Sequence, residues 1–419
     1  MMIPKKFKGF IIKKLIPPVA EQFLGPLILF LLTPYIITTL GKINYGLWVL
    51  LIAVSMFSQV ACLGITAWIA KAISESLALN HFQKVKEIVS SSFALILTIF
   101  SALLIGTFIA SSFLNGETIT ATFIMLCVVS GLFNEIDNLF TNATKGYELF
   151  HYSFSMEIIG RVFWGATVIL GVYTHHLMLF TCFAIVLKAL VKYIFFSLFV
   201  IRSTIFPLFS FQAFRARYIE SRWMFVQLVG GTSLSLFDRL LIPAVLGVNK
   251  LASYTPCIQL AQLAFSVPAA ANQILMPIFS RYYSLGKFPN KWFAMAITAA
   301  VLSALPCLVL FFFSQQILTL WISKSFSDEN YMTLNVLSLS YGLLSSLSIF
   351  HFIMLGIGES KFVAKVNLFA GAMTMVATAI AANFGVNYIA YAKFIYPLMQ
   401  LNYLPGILKL WKVNRGVNG

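Results

Sequence analysis

At 419 residues the chain is 60% hydrophobic and only 10% charged, whereas a soluble domain carries about 25% charged and 45–50% apolar residues. So few charges cannot clothe a water-soluble surface, and apolar stretches longer than about 18 residues recur throughout, the mark of bilayer-spanning helices. The formal net charge of +16 is scattered between the apolar segments and forms no groove-sized patch with interleaved aromatics, so it argues against nucleic acid and reports membrane orientation instead.

The first fourteen residues hold five lysines around Phe7, Phe10 and Ile11. That pattern fits either a short amphipathic helix on the membrane surface or a basic tail. No small-residue cleavage signal follows, so an uncleaved first span is expected and not a signal peptide. Twelve spans are predicted, over residues 15–40, 45–70, 90–113, 118–141, 152–174, 177–201, 223–246, 252–280, 292–315, 331–355, 362–383 and 388–410. At about 1.5 Å per residue each is long enough for a hydrocarbon core of roughly 30 Å. With the N-terminus in the cytoplasm, 21 of the 29 lysines and arginines fall on cytoplasmic segments. Only Lys42, Lys250 and Lys324 fall on the opposite side, which places both termini in the cytoplasm. Trp48, Trp68, Trp223, Trp292 and Trp411 sit at predicted span ends, where an indole prefers the headgroup level. The five cysteines all lie inside apolar segments without metal-ligand spacing and are expected to be small buried hydrophobes.

One long break, basic and aromatic, divides the chain into an N-terminal six-helix lobe (1–201), a cytoplasmic linker (202–222) and a C-terminal six-helix lobe (223–419). An internal echo agrees. Leu40-Gly41 followed by Tyr45-Gly46-x-Trp48 returns as Leu246-Gly247 followed by Leu251-Ala252-x-Tyr254, each between the first two spans of its half. Gly146-Tyr147-Glu148 and Gly356-Ile357-Gly358-Glu359 likewise precede the fifth span of each half. The expected fold is an all-α integral membrane protein of about twelve transmembrane helices, in two six-helix lobes around a central cavity.

These residues also carry a resemblance. Pro34, Leu40-Gly41-x-x-x-Tyr45-Gly46-Leu47-Trp48 and Leu63-Gly64 are followed by Asp238-Arg239-Leu240-Leu241-Ile242, Leu246-Gly247, Ala252-Ser253-Tyr254, Pro277-x-Phe279-Ser280-Arg281, Ile317-Leu318-x-Leu320-Trp321-Ile322 and Gly356-Ile357-Gly358. In this order and spacing, over essentially the whole chain, they resemble the Wzx-type polysaccharide repeat-unit flippases. That group belongs to the multidrug/oligosaccharidyl-lipid/polysaccharide (MOP) superfamily, which also holds the MATE exporters. The resemblance implies a transporter at the bacterial inner membrane that passes an undecaprenyl-diphosphate-linked oligosaccharide repeat unit from the cytoplasmic to the outer leaflet by alternating access. Surface polysaccharide such as O-antigen or capsule is the destination it implies, with polysaccharide polymerase machinery as a partner beside the lipid bilayer. No cofactor or metal is called for, and coupling to a Na+ or H+ gradient is left open.

Ionisable side chains in mid-span cost around 2.5–3.5 kcal/mol each on insertion scales and normally face a protein interior or watery cavity. The basic ones are Arg161, Lys188, Lys192, Arg239 and Lys393; the acidic ones are Glu21, Glu135, Asp137, Glu157 and Asp238. Lys188 and Lys192 stand one turn apart with no acid on their own helix, so they are candidates to attract the lipid diphosphate or an acidic sugar. Pairing with an acid from another helix and snorkelling of Lys192 are the competing readings. Glu157 and Arg161 have the spacing of an intrahelical ion pair, while Arg161 is also a substrate-contact candidate and Trp164 a candidate for stacking on a sugar ring. Arg239 joins the candidate cavity. Asp238, Glu157 and Glu21 are candidates for ion coupling, against an interlobe salt bridge for Asp238. Gln259, Gln262, Ser266 and Gln273 form a polar stripe, as do Asn134, Asn138 and Asn142; such stripes bind helices together or meet sugar hydroxyls.

Two rival functions remain at this level. A MATE-like ion-coupled exporter of small molecules would place uncompensated acids centrally. A membrane glycan polymerase or ligase needs acids, His or metal ligands gathered at a sizeable extramembrane loop, and the predicted loops are short.

Overall fold

The computed structural model describes residues 16–62, 64–113, 118–208, 236–284 and 292–417, and throughout these it is helical with no strand. The expected N-terminal amphipathic segment, most of the 202–222 linker and the first half of the seventh span lie outside the described residues. Among the described residues eight helices are long and apolar enough to cross a bilayer. The chain resolves into two compact units, one of Met1–Leu24 with Leu47–Val229 and the other of Gly25–Gly46 with Gly230–Gly419.

The first long helix, α1 (Ile16–Ala61), runs through the first predicted span and into the second as far as Ala61, interrupted only at Gly41, whose φ is 82°. Positive φ is nearly free for glycine and costs any residue with a Cβ. In the first unit there follow α2 (Ile65–Ala78), α3 (Phe82–Phe113), α4 (Thr118–Gly146), α5 (Phe150–Tyr173) and α6 (Leu177–Phe195), which ends in a π turn over Phe196–Val200. Their core is aromatic: the Phe140 ring meets Phe93, Tyr193 and Phe196 at centroid separations of 5.7, 5.3 and 5.5 Å. Such pairs add to the gain from burying the rings.

The second unit contains α7 (236–246), α8 (Val248–Ser284), α9 (Trp292–Phe312), α10 (Ser314–Trp321), α11 (Lys324–Gly356), α12 (Ser360–Ala382), α13 (Val386–Ala392), α14 (Ile395–Gln400) and α15 (Tyr403–Val417). Helix α11 is its axis. It starts at Ser323, whose hydroxyl caps the Phe326 amide at 3.2 Å. Small residues recur along it, Ser338, Gly342, Ser345 and Ser348 among them, and most of its circumference is buried. Small side chains let neighbouring backbones come close where no water drives association.

The echo between the halves is visible in the backbone. Gly247, the counterpart of Gly41, has φ of 86°. Glu148 and Gly358, at the matching turns before the fifth spans, have φ of 58° and 92°. Both turns close with the same six-to-one bond, Leu149 N–H to the Thr144 carbonyl and Glu359 N–H to the Met354 carbonyl, which is the Schellman ending of a helix.

Two expectations need revision. Trp48, Trp68 and Trp292 are 0%, 7% and 2% exposed, so they are buried in helix packing and form no headgroup belt. Trp48 donates its indole N–H to Thr181 Oγ1 at 2.9 Å, which satisfies the one polar atom that would otherwise have drawn the ring to water. The predicted second span, 45–70, is broken at Gly64, where the chain turns through φ of 72° before α2 begins. The cysteines are all buried and unpaired, as small hydrophobes are.

Candidate functional sites: a charged cluster and a polar cavity

In the first unit five charged side chains from three helices meet. Lys188 and Lys192 stand on successive turns of α6, Glu157 and Arg161 on successive turns of α5, and Asp137 on α4. The Lys192 ammonium reaches Glu157 Oε2 at 2.5 Å and Asp137 Oδ1 at 2.8 Å, and donates to Thr141 Oγ1 at 2.7 Å. The Lys188 ammonium lies 3.0 Å from Glu157 Oε1 and 3.2 Å from Asp137 Oδ2. Arg161 Nε lies 2.7 Å from Glu157 Oε1. Gly160 makes the arrangement sterically possible, because a Cβ there would sit 2.9 Å from the Lys188 stem.

The lysine pair is thus not uncompensated, contrary to the reading of α6 taken alone. Its counter-charges come from neighbouring helices, which no spacing rule within one helix can detect. Three cations face two carboxylates, leaving a surplus of one positive charge. Lys192 is 6% exposed and Glu157 4%, whereas Arg161 is 31% exposed. Its terminal guanidinium nitrogens have no further partner among the described residues, so the surplus charge is presented at Arg161. Trp164, one turn further along α5, is stacked on Trp48 with ring centroids 6.0 Å apart, so one ring face is already covered by protein.

The second unit holds a separate charged group. Asp238 is 0% exposed; its Oδ2 accepts from the Tyr254 hydroxyl at 2.7 Å and meets the Lys393 ammonium at 3.0 Å, while its Oδ1 accepts from the Arg239 amide at 3.0 Å. Both oxygens are engaged, and the salt bridge to Lys393 lies within the second unit rather than between lobes as expected. Arg239 Nη2 donates to Gln262 Oε1 at 3.1 Å, and Gln262 Nε2 donates to the Tyr341 hydroxyl at 3.2 Å. Gln259 accepts from Thr33 Oγ1 at 3.0 Å. Glu135, in the first unit, accepts from Asn138 and Thr66, so part of the asparagine stripe solvates a buried acid. The Glu21 and Gln273 side chains lie outside the described residues.

Beside Gln262 the second unit encloses a cavity of about 520 Å³ between α8, α11, α12 and α14. Its polar lining is Gln262, Tyr341, Ser348, His351, Asn367 and Gln400. Of these, only Gln262 was singled out from sequence; Asn367 and Gln400 lie in apolar stretches without periodic polar neighbours, so nothing local announces them. Among the described residues no three His, Cys, Asp or Glu side chains gather as metal ligands.

Residues 12–283 match the family described as polysaccharide biosynthesis protein. The chain belongs to that family. It is 22% identical over 351 residues, 78% of this chain and 80% of the relative, to a Shigella flexneri protein named "Putative O-antigen transporter". Among solved structures it resembles the inward-facing form of a multidrug resistance MATE family transporter of the MOP superfamily, with a TM-score of 0.66 and 15% identity over 94% of this chain and all of that one. The outward-facing form of a MATE family transporter of that superfamily gives 0.62 and 14%, over 98% and 97% of the two chains. At such identity the likeness establishes the fold, a multi-pass membrane transporter architecture of MATE type.

Proposed function

We infer that this member of the polysaccharide biosynthesis family is a flippase, carrying an undecaprenyl-diphosphate-linked oligosaccharide repeat unit from the cytoplasmic to the outer leaflet by alternating access. It is a transporter and not an enzyme, residing in the inner membrane with both termini in the cytoplasm. The family match over residues 12–283 carries the reading, and the O-antigen relative gives the cargo class. The charged cluster supports it physically. A diphosphate needs cations that stay charged within the membrane, and two buried carboxylates hold three such cations in place, with Arg161 the exposed member. Arg161 is therefore the proposed diphosphate contact; Lys188 and Lys192 act through it by keeping Glu157 shared. Asp238 is unsuited to a coupling cation in this arrangement, because Lys393 already neutralises it.

The test is genetic and biochemical together. A strain lacking the protein is expected to lose its surface polysaccharide and to accumulate lipid-linked repeat units on the cytoplasmic leaflet. Unchanged surface polysaccharide in that strain, with no accumulated precursor, would overturn the reading.

A further inference from the structure

The cavity of the second unit has a chemistry distinct from that of the charged cluster. Among the described residues no charged side chain lines it. The Arg239 guanidinium donates to the Gln262 carbonyl oxygen. The lining combines carboxamides (Gln262, Asn367, Gln400) and hydroxyls with the rings of Phe265, Phe352 and Tyr396. At about 520 Å³ it falls inside the range of roughly 300–1,000 Å³ typical of small-molecule pockets.

Two carboxamides are left incompletely bonded. Gln400 is 5% exposed, and its Oε1 is buried without a hydrogen-bond partner. Its amide nitrogen makes only a long 3.4 Å contact to Asn367 Oδ1. That same Asn367 oxygen accepts from the Tyr403 hydroxyl at 2.9 Å, so the Asn367 amide group is fixed with its nitrogen free of any protein partner among the described residues. Buried polar groups are nearly always satisfied, which Gln400 Oε1 is not; with the half-buried Asn367 amide beside it offering a donor, the pair is matched by a ligand with hydroxyls. Gln262, by contrast, is held at both ends by Arg239 and Tyr341 and is a fixed wall.

Among the described residues a cationic drug would find no acid here, and an acidic sugar no cation; either would be desolvated without a counter-charge. An uncharged ring with hydroxyls in its plane and C–H groups on its faces satisfies both the amides and the aromatics. We propose that this cavity is a binding site for an uncharged sugar residue, formed wholly within the second unit. The proposal rests on the flippase reading for its biological role, and assigns the glycan and the diphosphate to different units of the protein.

The test uses the full-length protein in nanodiscs and saturation-transfer NMR, which detects weak binding. The probes are methyl glucoside, methyl galactoside, methyl rhamnoside and N-acetylglucosamine, with glucuronate and tetraphenylphosphonium as charged comparators. At least one neutral probe is expected to take up saturation, and the charged ones none. Gln400→Leu removes the unpaired acceptor and is expected to weaken that signal about threefold to tenfold, the worth of one neutral hydrogen bond. Ala269→Phe, which fills the cavity from α8 without removing a polar group, is expected to abolish it. Silence from every neutral probe, an undiminished signal in Ala269→Phe, or uptake by tetraphenylphosphonium that Ala269→Phe removes would each overturn the proposal. The deletion strain separates the two readings: lost surface polysaccharide with no sugar signal sinks the cavity alone, while a sugar signal with normal polysaccharide sinks the flippase alone.

Discussion

At the scale of single residues the membrane interior makes each ionisable group answer for its charge, and the partners here are explicit. Lys393 and Asp238 are 2% and 0% exposed, so removing the lysine leaves the buried Asp238 carboxylate without that counter-charge. Lys393→Met is expected to destabilise the protein by about 3–5 kcal/mol, read as a lowered unfolding midpoint in detergent. Adding Asp238→Asn should return most of that loss, and a double variant as unstable as the single would show that the pair is not what matters. The cluster of the first unit responds differently because its charges are shared. Glu157→Gln leaves Lys188, Lys192 and Arg161 facing Asp137 alone and should lower the amount of folded protein in the membrane. Arg161→Gln removes only the surplus cation. It is expected to leave folding intact and to cut precursor translocation about tenfold to hundredfold, the loss of one charge-assisted contact; restored transport with Arg161→Lys and none with Arg161→Gln would separate charge from packing.

At the scale of elements, close approach and turn geometry decide. A Cβ on Gly46 of α1 would lie 2.6 Å from the Val248 carbonyl oxygen at the start of α8. Backbone cannot swing aside as a side chain can, so Gly46→Ala is expected to destabilise the second unit, with no matching effect from Gly106→Ala, where a Cβ meets nothing within 4 Å. The matched turns give a prediction of opposite sign. Glu148 holds the left-handed conformation that its counterpart Gly358 adopts without strain, so Glu148→Gly should raise the unfolding midpoint by an amount worth up to about 1 kcal/mol. Gly358→Ala should lower it comparably. Equal shifts of the same sign would mean that the turns are not equivalent.

At the scale of the whole molecule, the two units divide the polar work by chemistry. Among the described residues the first gathers three cations around Glu157 and Asp137; the second buries the Asp238–Lys393 pair and builds an amide-lined cavity with no charged side chain. A lipid-linked oligosaccharide has the same division, an anionic diphosphate joined to a hydroxyl-rich glycan. Loss of surface polysaccharide on deletion, with rescue by the wild-type chain and not by Arg161→Gln, is the expected outcome for the molecule acting as a unit.

Sequence alone determined that the chain is a helical membrane protein. Hydropathy and turn glycines act locally, and Gly41 and Gly247 mark equivalent turns because only glycine takes that conformation without cost. It also marked Lys188, Lys192, Glu157 and Arg161, since charges in apolar stretches stand out singly. What it left undecided was who pairs with whom. Lys192 meets Asp137 from 55 positions earlier, and Lys393 meets Asp238 across 155. The second unit's cavity likewise exists only once α8, α11, α12 and α14 are packed. Pairing and cavity are properties of distances between helices, and those distances are set by packing rather than by any spacing along one helix.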